Sequence, residues 1–444
     1  MHVQLQPAAV RRRRHGRRSP PRSGYGRPPR RPVARHRLSD IGAAGALLAL
    51  PLLLLAAAAY LALALVHAPP AITVAPVARA PGFRGPRPSL AWPAHGEAAV
   101  GVQGVGLIGA HGSSRPVPIA SLAKVMTAYV VLHDHPLGGR SGGPPIVVGG
   151  DDAAAFRADL AAGQSVVPVR AGERLTERQA LEGLLLPSGN NLATLLARWD
   201  AGSQRAFVGR MNAQARALGL TKTHYADPSG VAASTRSDAA DLVRLGMRAM
   251  AVPAFARIVG LTRVNLPVAG SQFNLDGLLG TDGIIGIKTG TTASAGGCFL
   301  FAAATRAGGR RATVIGVVLD QRGAGGRQDL LPAAFHATTA LLAGARGVPA
   351  RHRLIRAGET LARLRTAWGA AVALRATRAV SVVGWAGLRV RFAVVARRSL
   401  SPPLAAGQTA ADASARVGGE RVTVPLAGAA AVGGPSLGWR LAHP

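Results

Sequence analysis

Apolar and polar positions change rhythm from segment to segment along this chain, and each rhythm predicts a different kind of element. From 43 to 66, AAGALLALPLLLLAAAAYLALALV carries no charge and is long enough to cross a bilayer as one helix. Pro51 is tolerable there as a kink. The run exceeds the apolar stretch of a cleaved leader, so an uncleaved anchor is expected, with Ala78-Arg79-Ala80 as a late cleavage pattern. Residues 67–92 are Pro-rich and predict a spacer. EAAVGVQ followed by GVGLIGAHG predicts a hairpin over 97–111. Helical spacing then recurs at 120–133, 177–187, 190–199, 203–218 and 238–249, strand-like runs at 284–288, 297–305 and 311–319, and a last helix at 328–344. Strands at both ends of a helical middle predict an α+β domain over 93–346, its N- and C-terminal strands paired in one sheet. Beyond Gly347 the period shortens to two between Gly and Pro turns, predicting a small all-β domain over 350–444.

Charge changes the picture at the N-terminus. The 444 residues carry a net charge of +33. Residues 1–42 hold twelve arginines against the single acid Asp40, a tail with too little apolar content to bury a core and expected to be disordered. The positive-inside rule keeps that tail cytoplasmic and places residues 67–444 outside the membrane. The tail is expected to set orientation and grip anionic lipid, and nucleic acid is a minor alternative partner. The external arginine excess is expected to favour anionic wall polymers or lipid. One cysteine, Cys298, excludes an internal disulfide and suits a small buried apolar position.

Among 53 basic residues only Lys124, Lys222 and Lys288 are lysines. Lys124 lies in PIASLAKVMTAYVVL, three residues after Ser121, and positions i and i+3 share a helix face. A serine hydroxyl is a weak nucleophile until a base takes its proton. Burial or a nearby cation can drive a lysine amine to the neutral form, whereas arginine stays charged. The first turn of a helix also offers free N–H groups to a forming oxyanion. Two further motifs stand in order: Ser188-Gly189-Asn190 in a polar turn, and Lys288-Thr289-Gly290 after a strand-like run.

The set S-x-x-K, S-x-N, K-T-G, separated by 67 and then 100 residues, resembles the penicillin-binding protein and serine β-lactamase superfamily. Within it, PIASLAKVMTAYVVL, FVGRMNAQARALGLTKTHYADPSGV, DAADLVRL and DGIIGIKTGTTASAGG are similar to the low-molecular-weight D-alanyl-D-alanine carboxypeptidases, peptidase family S11. The resemblance covers about 93–346, and the C-terminal segment is similar to the β domain many members carry. It implies the transpeptidase fold of that superfamily, an antiparallel sheet with a helical region. It also implies Ser121 as nucleophile with Lys124 as base, oxyanion donors on the N–H groups of Ser121 and Thr291, and Ser188, held by Lys288, passing a proton to the leaving D-alanine. Asn190 would orient Lys124 and the substrate amide, and Thr289, Gly290 and Arg327 would border the substrate carboxylate. The implied substrate is a peptidoglycan stem peptide, the implied inhibitors are β-lactams, and no cofactor or metal is implied. Asn191 stands where an acidic residue often follows the middle motif, and no amphipathic C-terminal helix is expected.

Several other readings compete. A class A β-lactamase needs a downstream glutamate, and none occurs between Glu182 and Glu359. D,D-endopeptidase action on cross-links would use the same residues. A dormant, penicillin-sensing wall-binding module has no reason to keep scarce lysines at motif positions. Gly104, Gly106 and Gly109 form G-x-G-x-x-G, but HGSSRPVP follows and cannot start the helix a dinucleotide site requires. His133-Asp134-His135 precedes Pro136 at a helix end with no third ligand near, which favours a surface position over a metal site.

Overall fold

The computed structural model describes residues 41–68, 70–77, 81–398 and 400–443, and the side chains of these except 41–48 and Arg327. The arginine-rich tail through residue 40 lies outside the described residues. The chain divides into two units, one holding residues up to Ala68 together with the segment from Ser436, the other spanning Pro69–Pro435.

In the first unit α1 (Ile41–Val66) is a single helix whose segment Ala49–Val66 has a mean hydropathy of 2.5, long and apolar enough to cross a membrane. Leu50, Leu52, Leu53, Leu54 and Leu55 are all exposed, so the helix is apolar around its whole circumference rather than along one stripe. A short helix near the C-terminus, over residues Leu437–Ala442, packs on the end of α1. Arg440 Nη1 donates to the Leu65 carbonyl at 3.1 Å, and the Tyr60 hydroxyl donates to the Leu441 carbonyl.

In the second unit the segment expected to be a bare spacer contributes β1 (Thr73–Pro76). The expected hairpin forms as β2 (Glu97–Val102) and β3 (Gly106–His111). The helical middle consists of α2 (Ala123–Asp134), α3 (Gly150–Ala161), α4 (Glu177–Leu185), α5 (Asn190–Ala201), α6 (Gln204–Ala217), α7 (Ala239–Met250) and α8 (Pro253–Val259). Three long strands follow, β4 (Ile284–Thr292), β5 (Gly296–Ala307) and β6 (Arg310–Gln321), and then α9 (Leu330–Ala345). The sheet is antiparallel in the order β4-β5-β6-β2-β3, so the N-terminal hairpin joins the C-terminal strands through β6 and β2, with Val102 opposite Val314.

Alternation along β5 explains the layering. Leu300 and Ala302 face a core shared with α2, α4, α5, α6 and α7, while Phe299 and Phe301 face α9 through Ala334, Leu341 and Leu342. The sheet is therefore sandwiched, and its strands read as continuous apolar runs because both faces are covered.

The C-terminal region holds β7 (Ala350–Ile355), β8 (Thr360–Arg365), β9 (Ala371–Ala376), β10 (Val380–Gly384), β11 (Val390–Ala396), β12 (Thr409–Val417) and β13 (Glu420–Gly428). Six strands pair in the order β1-β8-β9-β13-β12-β11, with β7 and β10 in a second sheet. Val74 of β1 lies opposite Leu364, so the supposed spacer supplies an edge strand to this sheet. Residues expected to close the β domain instead form α10 (Leu437–Ala442), capped by Ser436 and belonging with α1.

Candidate active site

The chain before α2 does not enter the helix directly. A 3₁₀ turn, Ala120–Leu122, comes first, and Ala120 takes a left-handed φ of 46°. Ser121 sits in that turn, partly exposed, while Lys124, one turn on, is fully buried. Ser188 also has a left-handed φ, 68°, in the break between α4 and α5, and Asn190 opens α5. These elements bring three polar side chains onto one amine. Lys124 Nζ lies 2.7 Å from Ser121 Oγ, 3.2 Å from Ser188 Oγ and 2.5 Å from Asn190 Oδ1.

Burial, reinforced by the charge of Lys288, drives the Lys124 amine well below its ordinary value of 10.5, against the weaker pull of Asp227 and Asp159. Lys288 on β4 is itself buried, which lowers it to about 7 against the opposing charge of Asp276. The two amines repel, so a charge on Lys288 opposes protonation of Lys124. Lys288 Nζ donates to the Thr289 carbonyl at 3.0 Å. Among the described residues, Ser188 Oγ takes its bond from Lys124 and not, as the resemblance implied, from Lys288.

Gly290 has a steric role. A Cβ there would come within 2.9 Å of Ser121 N and 3.3 Å of Leu122 N, so only glycine lets β4 run this close to the Ser121 N–H. Thr289 is buried beside it, and Thr291 is exposed at the rim. Arg327 belongs to the 3₁₀ turn Gly326–Asp329 that precedes α9, and its side chain lies outside those described. The His133-Asp134-His135 segment is held by acids at the far end of α2. His135 Nε2 is 3.0 Å from Asp200 Oδ1, and Arg210 Nη1 donates to both Asp134 and Asp200 at 2.9 Å.

Sequence reasoning missed the support around these groups. Asn190 Nδ2 donates to Gln164 Oε1 at 2.7 Å, and Asn191 clamps Val167 with bonds to its N–H (3.0 Å) and carbonyl (2.8 Å). These contacts fasten the loop after α3 onto the middle motif. Asp227, in YADPSGV, gathers its own loop. Its Oδ1 accepts from Ser229 N, Ser229 Oγ, Gly230 N and Val231 N, and its Oδ2 from Ala232 N and Thr235 Oγ1. Burial pushes that carboxyl up, but the hydrogen bonds from Ser229, Thr235 and Gly230 outweigh it and the net shift is downward. The loop so fixed presses Gly230 onto the turn of Ser121, where an added Cβ would lie 1.8 Å from the Ala120 carbonyl oxygen. An Asx-type signal, Asp followed by Ser and Gly, is the mark that would have revealed it.

Comparison with known proteins agrees with this geometry. Residues 103–323 match the D-alanyl-D-alanine carboxypeptidase family, Peptidase_S11. The D-alanyl-D-alanine carboxypeptidase DacB2 of Mycobacterium tuberculosis is 39% identical over 204 residues, covering 44% of this chain and 65% of that protein. This chain thus spans less than two thirds of that relative, and 54% of the Escherichia coli carboxypeptidase DacD. The crystal structure of the Streptomyces K15 DD-transpeptidase superposes with a TM-score of 0.50 at 27% identity, covering 59% of this chain and 98% of that one. Penicillin-binding protein 5 of Haemophilus influenzae shares the fold at 21% identity with a TM-score of 0.54, covering 80% of this chain and all of that one. The clustered side chains and the family match fall in one segment, and residues 103–323 form a domain of the D-alanyl-D-alanine carboxypeptidase family, Peptidase_S11.

Proposed function

We propose that this chain is a membrane-anchored, serine-type D-Ala-D-Ala carboxypeptidase that removes the terminal D-alanine from peptidoglycan stem pentapeptides. The observation that carries the reading is one buried amine, Lys124 Nζ, in bonding range of Ser121, Ser188 and Asn190 at once. A neutral Lys124 accepts the Ser121 hydroxyl proton across 2.7 Å as Oγ attacks the carbonyl carbon of the terminal peptide bond. The N–H groups of Ser121 and Thr291 receive the oxyanion. Collapse expels D-alanine, whose nitrogen takes a proton relayed through Ser188, leaving an acyl ester on Ser121. Water, deprotonated by the same base, hydrolyses that ester. Thr289 and Arg327 take the substrate carboxylate, a group that a guanidinium fork suits. A β-lactam enters as a mimic of the dipeptide and stays attached to Ser121.

The anchor is α1, oriented with the arginine-rich tail in the cytoplasm and residues 67–444 outside. The tail would also hold anionic headgroups of the inner leaflet. The test combines D-alanine release from a stem pentapeptide with labelling by fluorescent penicillin. The parent protein should do both, and Ser121→Ala and Lys124→Arg should do neither, because a guanidinium cannot act as base. Equal labelling of Lys124→Arg would overturn the assignment.

A further inference from the structure

The far end of the catalytic sheet carries a second concentration of charge that the peptidase chemistry does not use. At the β5–β6 hairpin Arg306 and Arg311 are directly opposed cross-strand partners, both exposed. Like charges in this position repel and weaken a hairpin, so the pair is costly when nothing lies between them. Both line a cavity of about 560 Å³ whose wall also includes Arg346, at the C-terminal end of α9. The register shift between Ile284 and Gly286 leaves Ile285 outside the β4–β5 pairing at this point, and Ile285, Ala304 and Ala312 line the cavity with the arginines. Arg346 Nη1 lies 3.2 Å from Asp282 Oδ1. Among the described residues Arg306 and Arg311 have no acidic partner.

We infer that this cavity is a binding site for a dianionic phosphate group. Three guanidiniums against one carboxylate leave two positive charges unbalanced around one concave space. A single carboxylate would neutralise only half of that. A phosphate offers enough oxygens for both unpaired forks at once, and its charge turns the Arg306–Arg311 repulsion into a shared attraction. Ile285 and Ala312, both half-buried, give the space an apolar side on which charge pairing is screened less than in open water. The site stands apart from Ser121, because β4 reaches the nucleophile through Gly290, toward the opposite end of the strand from Ile285.

The test must be local, because the arginines of the N-terminal tail also attract phosphate. The full chain in neutral detergent micelles is treated with phenylglyoxal, and modification of each arginine is followed by peptide mass spectrometry. Inorganic pyrophosphate and dihexanoyl phosphatidic acid, a phosphomonoester lipid, serve as two separate protecting probes. At saturation, Arg306 and Arg311 should react about tenfold more slowly, while Arg363 and Arg365, exposed on β8, keep their rates. Arg306→Gln should raise the probe concentration needed to protect Arg311 by about tenfold, with penicillin labelling unchanged as the check on folding. Protection by pyrophosphate identifies a soluble phosphate, and protection by the lipid alone a headgroup. If neither probe slows Arg306 and Arg311 more than it slows Arg363 and Arg365, the inference is overturned.

Discussion

Gly230→Ala tests how the nucleophile is held. A Cβ at 230 would lie 1.8 Å from the Ala120 carbonyl oxygen and 2.5 Å from its carbon. Real Cβ atoms do not approach within 3.0 Å, so one partner must retreat by about 1.2 Å. The loop bearing Gly230 is the stiffer partner. Asp227 holds it by six hydrogen bonds, and Thr127 Oγ1 donates to the Pro228 carbonyl at 2.6 Å. The 3₁₀ turn therefore yields, carrying Ser121 Oγ away from Lys124 Nζ. A displacement near 1 Å in a reacting geometry costs about 10²-fold in rate. Overpacking adds about 1–3 kcal/mol of destabilisation, and the left-handed φ of 84° roughly 1 kcal/mol more. The assay is the second-order rate of acylation by fluorescent penicillin, run beside thermal melts. Gly202→Ala is the control, since Gly202 has a φ of 74° with nothing within 4 Å of an added Cβ. It should lose about 1 kcal/mol and no activity. If Gly230→Ala stays folded and acylates within about twofold of the parent, the turn is not positioned as described.

Three further outcomes are expected. Lys288 has a folded value near 7, below its unfolded 10.5, so its contribution to stability is full above 10.5 and is lost as pH falls toward 7. Lys288→Met should remove a slope approaching about 1.4 kcal/mol per pH unit in that window, read from urea midpoints at pH 7 and 10. Glu177 is fully buried with both carboxylate oxygens unpartnered, and burial raises it to about 7, with Arg178 opposing. Its favourable contribution is complete below 4.5 and disappears as pH rises through 7. Glu177→Gln should therefore stabilise the protein by about 1–3 kcal/mol at pH 8 and much less at pH 5; an equal effect at both would refute a buried titrating acid. Asp227→Asn replaces an acceptor oxygen with an amide that opposes the Ala232 N–H or the Thr235 hydroxyl. It should cost about 2–4 kcal/mol in melts and slow penicillin labelling, and a neutral result would reject the loop's role.

What the sequence made legible follows the strength of each local signal. The helix after Ser121 and the three long C-terminal strands were expected within a few residues, because their apolar patterns are dense and bounded by Gly or Pro. α3 was missed because GDDAAAFRADLA buries only Ala153 and has almost no apolar face, although its acidic first turn marks a helix start. α8 was missed because seven residues give too few turns for a period to appear. β1 was taken for spacer because four residues flanked by prolines form a strand only through pairing with Leu364 and its neighbours. At the site, residue types betrayed the three motifs, since lysine is scarce here. The lowered basicity of Lys124 and Lys288 was not legible, because it depends on burial that only the folded geometry creates. The contact of Gly230 with the turn of Ser121 was hidden because Ala120 lies more than a hundred residues upstream.

The left-handed backbone at Ala120 and Ser188 has a consequence for how this chain can evolve. Neither position is glycine, so each carries roughly 1 kcal/mol that a glycine would relieve in the folded state. Glycine at 120 would also free the turn beside Ser121 to sample other shapes, and at 188 it would delete a hydroxyl from the amine's surroundings. Gains in heat tolerance made at these two points would therefore come out of turnover. Selection for hardier variants should act on distant surfaces and leave this pair of tense residues alone.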